Sequence, residues 1–207
     1  MFIQRIKERF DTNEPIFTEE IMILFPEYSR AQIFRYIDKA KQKREIVQYD
    51  KGVYYLPKRT RIGLSALTAD DVARKKYIGW KSDIYGIIGG IELLNIFSVT
   101  TQVPAVIEIV TNKEATRGRE VMIKNRRFII KKSRAEINSR NAAAYTVLQL
   151  FDDFGKETEL DENASRRVFE FIRQQGITKE QLLNLSVKFP ARTMRKLIRS
   201  KVFNEIA

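Results

Sequence analysis

The first sixty residues place three short helical segments ahead of a β-hairpin pattern, and this order restricts the fold more than any other feature of the sequence. In each segment apolar residues recur with the spacing of one helical face. Ser29 stands where an N-cap is needed for the third segment, which contains no glycine or proline. The predicted helices are residues 1–10, 18–25 and 30–44.

A hairpin pattern follows the third helix. Residues 45–49 and 53–56 are β-prone, and between them Gly52 can adopt the positive φ that a tight turn requires. Three short helices followed by a hairpin are typical of a winged helix-turn-helix. We therefore predict such a domain over residues 1–59, with residues 57–61 as the linker that leaves it.

Residues 60–207 are predicted to form a second, mixed α/β domain with a helical tail, so the fold class of the chain is α+β. The tail has helical periodicity with few breaks, whereas the middle of the chain alternates between short β-prone and helical segments. The predicted elements are a helix at 69–77, a glycine-containing helix at 85–97, a strand at 103–110, a hairpin at 120–123 and 128–132, and helices at 141–154, 164–175, 178–187 and 191–203.

The composition favours a polyanionic partner and excludes several kinds of catalysis. The chain has 38 lysine and arginine residues against 26 aspartate and glutamate residues, a formal charge of +12. It has neither cysteine nor histidine, which excludes disulfides, thiolate metal sites, histidine-bound zinc and Ser-His-Asp triads. We expect no enzyme activity, no metal and no cofactor.

The chain is also expected to be cytoplasmic and to have no membrane association. Residues 1–5 lack the apolar region of a signal peptide. The most apolar run, residues 84–91, is much shorter than the ~20 residues that span a bilayer.

The third helix has the two faces that a DNA-reading helix needs. Ile33, Ile37 and Ala40 recur on one face, and the opposite face is polar with a single acidic residue, Asp38, between 30 and 44. Arginine can bind guanine bidentately and glutamine can bind adenine, whereas lysine suits phosphate. The predicted DNA contacts are Ser29, Arg30, Gln32, Arg35, Tyr36, Lys39 and Lys43 in the helix, with Lys51, Tyr54, Lys58 and Arg59 in the wing. Tyr54 and Tyr55 should point to opposite faces, so that one packs and the other is exposed.

Two further basic regions lie outside the predicted winged helix. Residues 113–134 contain nine lysines and arginines, and the last predicted helix has a basic row opposite an apolar face. Either region is a secondary surface for DNA or a partner, or it is simply solvated. The residues concerned are Lys124, Arg126, Arg127, Lys131, Arg192, Arg195 and Arg199.

Three short motifs resemble the AbiEi-type antitoxins of type IV toxin-antitoxin systems and their uncharacterised relatives. They are Gly52-Val53-Tyr54-Tyr55-Leu56-Pro57, Tyr77-Ile78-Gly79-Trp80 and Thr100-Thr101-Gln102-Val103-Pro104. The resemblance covers about residues 1–134. It implies a winged helix that represses its own operon and a second domain that opposes a nucleotidyltransferase-like toxin, in an abortive-infection system.

The function that the sequence favours is sequence-specific repression, combined with an antitoxin role. One alternative is a stand-alone repressor whose second domain oligomerises or senses a ligand. Another is a metal-dependent nuclease with a winged-helix targeting domain, suggested by Asp83 and Glu108, although Val110 stands where such a nuclease would have a lysine.

Overall fold

The structure is a computed structural model, and it describes residues 2–61, 63–155, 160–204 and 206. The chain is α+β and forms two compact units, Met1–Lys75 and Lys76–Ala207. In the described part of the chain no helix is both long enough and apolar enough to cross a membrane.

The first unit contains three helices and a three-stranded antiparallel sheet ahead of a short extension. In the sheet the last strand lies in the middle, in the order β1-β3-β2. The elements in chain order are α1 (Phe2–Arg9), β1 (Ile16–Phe17), α2 (Thr18–Leu24), α3 (Arg30–Gln42), β2 (Val47–Asp50) and β3 (Val53–Tyr55).

The core of the first unit is built from the apolar faces that the sequence predicts. Ile33, Ile37 and Ala40 of α3 are all buried, as are Ile6 of α1 and Ile21 of α2. Strand β1 is an addition to the prediction, because it has only two residues and therefore no readable periodicity. Its residue Ile16 lies opposite Tyr54 of β3, and both side chains are buried in the core of the first unit.

The chain does not leave the first unit at residue 60, where the sequence analysis drew the boundary. Residues 57–61 are not a bare linker, since β4 (Arg59–Thr60) pairs with β5 (Gly63–Leu64). Helix α4 (Ala69–Ala73) is followed by a π-helical turn (Arg74–Ile78). Lys75 lies in this turn, and its buried ammonium is bonded to residues of the first unit's core. Its Nζ donates to Glu14 Oε1 at 2.8 Å and to the Pro15 carbonyl at 2.7 Å.

The second unit contains a four-stranded mixed sheet. Its strands lie in the order β10-β11-β9-β8, with β9 and β11 parallel and the other pairs antiparallel. The predicted hairpin of β10 and β11 is present, and a separate short hairpin, β6 with β7, precedes the sheet. The strands are β6 (Gly79–Trp80), β7 (Asp83–Ile84), β8 (Gly86–Gly89), β9 (Ile107–Thr111), β10 (Arg119–Ile123) and β11 (Arg126–Lys132).

The helix predicted at residues 85–97 is wrong in its first half. That half is strand β8, and only α5 (Gly90–Ile96) is helical. A Cβ on Gly86 would lie 2.1 Å from the Tyr77 carbonyl oxygen, so this glycine lets two backbones approach closely. Gly90 has φ +64 and begins α5. The predicted strand at 103–110 also starts later, at Ile107.

The four predicted tail helices are present, and α6 is the central one. Nine of its residues are buried, among them Tyr145, Leu148 and Phe151, and α5, α8, α9 and β8 all pack against it. This arrangement explains its nearly continuous apolar sequence. The helices are α6 (Ala142–Asp153), α7 (Glu162–Gln174), α8 (Lys179–Ser186) and α9 (Ala191–Arg199), followed by a 3₁₀ turn at Val202–Asn204.

Candidate nucleic-acid interface

Helix α3 is held at its start by a capping box. Ser29 Oγ accepts from the Gln32 backbone N–H at 3.3 Å, and Gln32 Oε1 accepts from the Ser29 N–H at 2.8 Å. These bonds satisfy two backbone donors at the helix terminus. The same Gln32 oxygen would have to accept from adenine in a bidentate bond, so base recognition by Gln32 competes with its role in the cap.

The polar face of α3 exposes cations. Arg35 and Lys39 are exposed one helical turn apart, because Ile33 and Ile37 direct the other face into the core. Lys43 is exposed at the C-cap. Within the described residues these three cations have no ion pair, whereas Lys41 is bonded to Asp38 and Gln48. Arg35, Lys39 and Lys43 are thus the α3 cations available to an anionic partner.

Tyr36 belongs to an aromatic cluster and is only partly exposed. Its ring lies 5.2 Å from the ring of Phe2 and 5.2 Å from that of Tyr28. Arg30 is exposed, with its guanidinium 5.7 Å from the Phe34 ring. These contacts brace the exposed side of α3 against α1 and the α2–α3 turn.

The wing is short and its tip is tied to the start of α2. Lys51 is exposed at the tip, and Gly52 has φ +74 in the turn. The Gly52 carbonyl accepts from the backbone N–H of Thr18 at 3.0 Å and from its hydroxyl at 3.2 Å. Lys58 and Arg59 are also exposed, Arg59 in strand β4 and Lys58 immediately before it.

Tyr54 must be removed from the predicted DNA contacts. It is 4% exposed and packs in the core of the first unit, opposite Ile16. The expectation that one of Tyr54 and Tyr55 is exposed is wrong, because the chain after β5 returns to the outer side of β3. The Tyr55 hydroxyl donates to the Ser65 carbonyl at 3.0 Å, and burial raises its pKa.

The structure also shows a basic concave surface at the base of the wing that sequence reasoning missed. It has a cavity of about 610 Å³, lined in part by the apolar Phe10 and Leu56 and by two acidic residues, Asp11 and Glu45. Its cationic lining comes from separate elements, so no periodic pattern in the sequence could have revealed it. The cations are Lys7, Lys43, Arg44 and Arg59.

The basic residues predicted in the second unit are less uniformly available. Lys131 forms an ion pair with Glu108, and Arg127 lies 3.8 Å from Glu120. On the β10–β11 turn Lys124 has φ +53, and the neighbouring Arg126 is exposed.

In α9, Arg192 contacts Asp152 at 3.3 Å. Arg195 and Arg199 are exposed, and within the described residues neither has an ion pair. Arg195 and Arg199 are therefore available to an anionic partner, whereas Arg192 and Lys131 already contact carboxylates.

Two adjacent acidic residues at the end of α6, Asp152 and Asp153, accept hydrogen bonds from within the second unit. Asp152 accepts from Arg134 and Thr193, and although burial opposes it these bonds lower its pKa. Asp153 accepts from the Gly90 N–H at 2.7 Å, and burial raises its pKa. Among the described residues there is no group of three or more acidic side chains that could hold a metal ion.

A family model matches residues 16–181, which is most of the chain. It describes a family of unknown function, DUF6088. The chain belongs to this family. The DUF6088 match begins at strand β1 and ends within α8, so α1 and α9 lie outside it. No curated protein matches the chain.

Proposed function

We propose that the first unit of this DUF6088 protein is a winged helix-turn-helix domain and that the protein is a sequence-specific DNA-binding repressor. Two observations together carry the proposal: the order of helices and strands in the first unit, and the cations exposed on α3. The order α1-β1-α2-α3-β2-β3, with the strands arranged β1-β3-β2, supports this because three helices followed by a hairpin are typical of a winged helix. In that arrangement α3 exposes Arg35 and Lys39, which form no ion pair within the described residues.

Each exposed cation has a distinct role in the proposed complex. Arg35 enters the major groove with α3 and can donate two parallel hydrogen bonds to guanine. Lys39 and Lys43 neutralise phosphates beside the groove, and Lys51 at the wing tip contacts the neighbouring backbone. The capping box fixes the start of α3. The Gln32 side-chain NH2, which the box does not use, donates to a base or phosphate acceptor.

The second part of the proposal is autoregulation with an antitoxin role. It is supported by the resemblance of the wing, the Tyr77–Trp80 stretch and the Thr100–Pro104 stretch to AbiEi-type antitoxins. In this proposal the winged helix binds the promoter of its own operon. The second unit opposes a nucleotidyltransferase-like toxin encoded beside it.

Binding of the full chain to its own upstream DNA tests the first part. A labelled duplex of about three helical turns from that region is titrated in an anisotropy assay. The Arg35→Ala/Lys39→Ala variant should bind about tenfold more weakly or worse. Arg166→Ala/Arg173→Ala, two exposed arginines of α7, is the matched control. Equal affinity of the two double variants would contradict the proposal.

Growth rescue tests the antitoxin part. The gene is co-expressed with a neighbouring nucleotidyltransferase-like gene, and growth is compared for the native chain and the Arg35→Ala/Lys39→Ala variant. The variant should restore growth while failing to repress a promoter reporter. A folded native chain that leaves growth arrested would remove the antitoxin role and leave a stand-alone repressor.

A further inference from the structure

Helices α8 and α9 repeat the local layout of α2 and α3. Both pairs consist of two helices joined by a short turn. The two N-caps lie twelve positions apart in each pair, at Phe17 and Ser29 and at Thr178 and Pro190. Thr178 and Gln181 form a capping box on α8. The second unit therefore contains two consecutive helices with the N-cap spacing of α2 and α3.

The inner face of α9 is fixed to α6. Leu197 is fully buried, and the Thr193 hydroxyl donates to Asp152 Oδ1 at 3.0 Å. Lys196 Nζ donates to the Phe154 carbonyl at 2.7 Å, and burial lowers its pKa. These contacts fix the rotation of α9 about its own axis, so the opposite face of the helix is exposed to solvent.

The outer face of α9 carries a row of arginines. Arg192, Arg195 and Arg199 are exposed at positions i, i+3 and i+7, which is the spacing of Gln32, Arg35 and Lys39 on α3. No acidic residue occurs between 187 and 201, although that stretch contains six lysines and arginines. Such a face is complementary to a regular polyanion.

We propose that α8–α9 is a second DNA-binding helix-turn-helix, in which Arg195 and Arg199 contact the phosphates of a duplex. The choice of DNA as the polyanion rests on the proposed function of the first unit. A duplex of RNA suits this surface less well, since its deep, narrow major groove does not admit a helix. Helix α9 lies beyond the family match, so the site is inferred from this chain's own residues.

The salt dependence of binding tests the site directly. The full chain is titrated with a random-sequence duplex of about three helical turns, between about 50 and 200 mM salt. The Arg195→Gln/Arg199→Gln variant should bind about tenfold more weakly at the lower salt concentration, and its slope of log affinity against log salt should be shallower by about two. The control variant Arg166→Gln/Arg173→Gln removes the same charge from α7 and should keep the native slope.

A parallel titration of Arg35→Ala/Lys39→Ala separates the two proposals. If this variant loses binding while the α9 variant keeps the native slope, the second site is wrong and the proposed function stands. If only the α9 variant changes the slope, the second site stands and the role of α3 is wrong. Tighter binding to a single-stranded RNA of the same sequence, lost in the α9 variant, would overturn the assignment to DNA. Thermal unfolding of each variant confirms that it is folded.

Discussion

At the scale of single residues, local bonding and burial decide which predicted contacts remain available. Spacing alone places Gln32, Arg35 and Lys39 on one row, but the cap occupies the Gln32 oxygen. Residue type favours Tyr54, yet it is buried in the core of the first unit, opposite Ile16 of β1. Periodicity in the sequence reports neither a side-chain hydrogen bond nor burial by a segment distant in sequence. With Gln32 and Tyr54 weakened as candidates, Arg35 is the strongest candidate for base recognition.

Replacing Arg35 and Lys39 one at a time should separate base recognition from phosphate contact. Arg35→Ala should reduce discrimination between the upstream duplex and a scrambled one by about 1–3 kcal/mol, because a bidentate arginine–guanine contact is lost. Lys39→Ala should weaken binding to both duplexes alike. Competition titrations measure the ratio. An unchanged ratio in Arg35→Ala would show that this residue does not read bases.

Glu114 should make the stability of the second unit depend on pH in the acid range. Bonds from the Thr116 backbone N–H and hydroxyl, and from Arg119, lower its pKa from 4.5 to about 2. The stabilisation is therefore present above pH 4.5 and is lost as the pH falls towards 2. Urea unfolding at several pH values should show this loss in the native chain and a smaller one in Glu114→Gln. Parallel curves for the two proteins would contradict the assignment.

At the scale of elements, strongly periodic segments were predictable and backbone-controlled ones were not. Helix α3, the two hairpins and the four tail helices agree with their sequence patterns because side-chain periodicity determines which face is buried. Strand β8 was misjudged because its glycines contribute no periodicity. Gly86 permits the close approach of the Tyr77 backbone, and the sequence alone does not predict this contact.

Adding a methyl group at Gly86 should therefore destabilise the second unit. The new Cβ would lie 2.1 Å from the Tyr77 carbonyl oxygen and 2.9 Å from that of Val110, so backbone must move. We expect Gly86→Ala to lower the free energy of unfolding by about 1–3 kcal/mol or more. Gly118→Ala is the control, because its nearest contact is an ordinary 3.5 Å from a lysine side chain. Similar unfolding midpoints would refute the close approach.

At the scale of the whole molecule, the last residue of the first unit is bonded to a residue near its start. Lys75 and Glu14 are 61 residues apart, and both are buried. Composition marks the Pro57 to Arg61 stretch as a linker, but it carries no information about such a bond. The sequence predicts two domains with the first ending at residue 59, whereas the first compact unit extends to Lys75.

The first unit should be stable as residues 1–75 and not as residues 1–59. The shorter fragment leaves the Glu14 carboxylate without Lys75 and the Tyr55 hydroxyl without the Ser65 carbonyl. Loss of one partner from a buried ion pair costs about 3–5 kcal/mol, a large share of the stability of a small domain. Thermal unfolding followed by circular dichroism compares the fragments. A cooperative transition at the same temperature in both would show that the extension is dispensable.

The bonds from Thr18 to the Gly52 carbonyl bear on how the proposed complex would form. Because the wing tip is held to the start of α2, Lys51 sits on a backbone that is ordered before any partner arrives. Little conformational entropy remains to be lost there on association. A wing that cannot adjust leaves the adjustment to the duplex. Operators would then be distinguished partly by how readily their base steps bend and by the width of the groove that meets the wing.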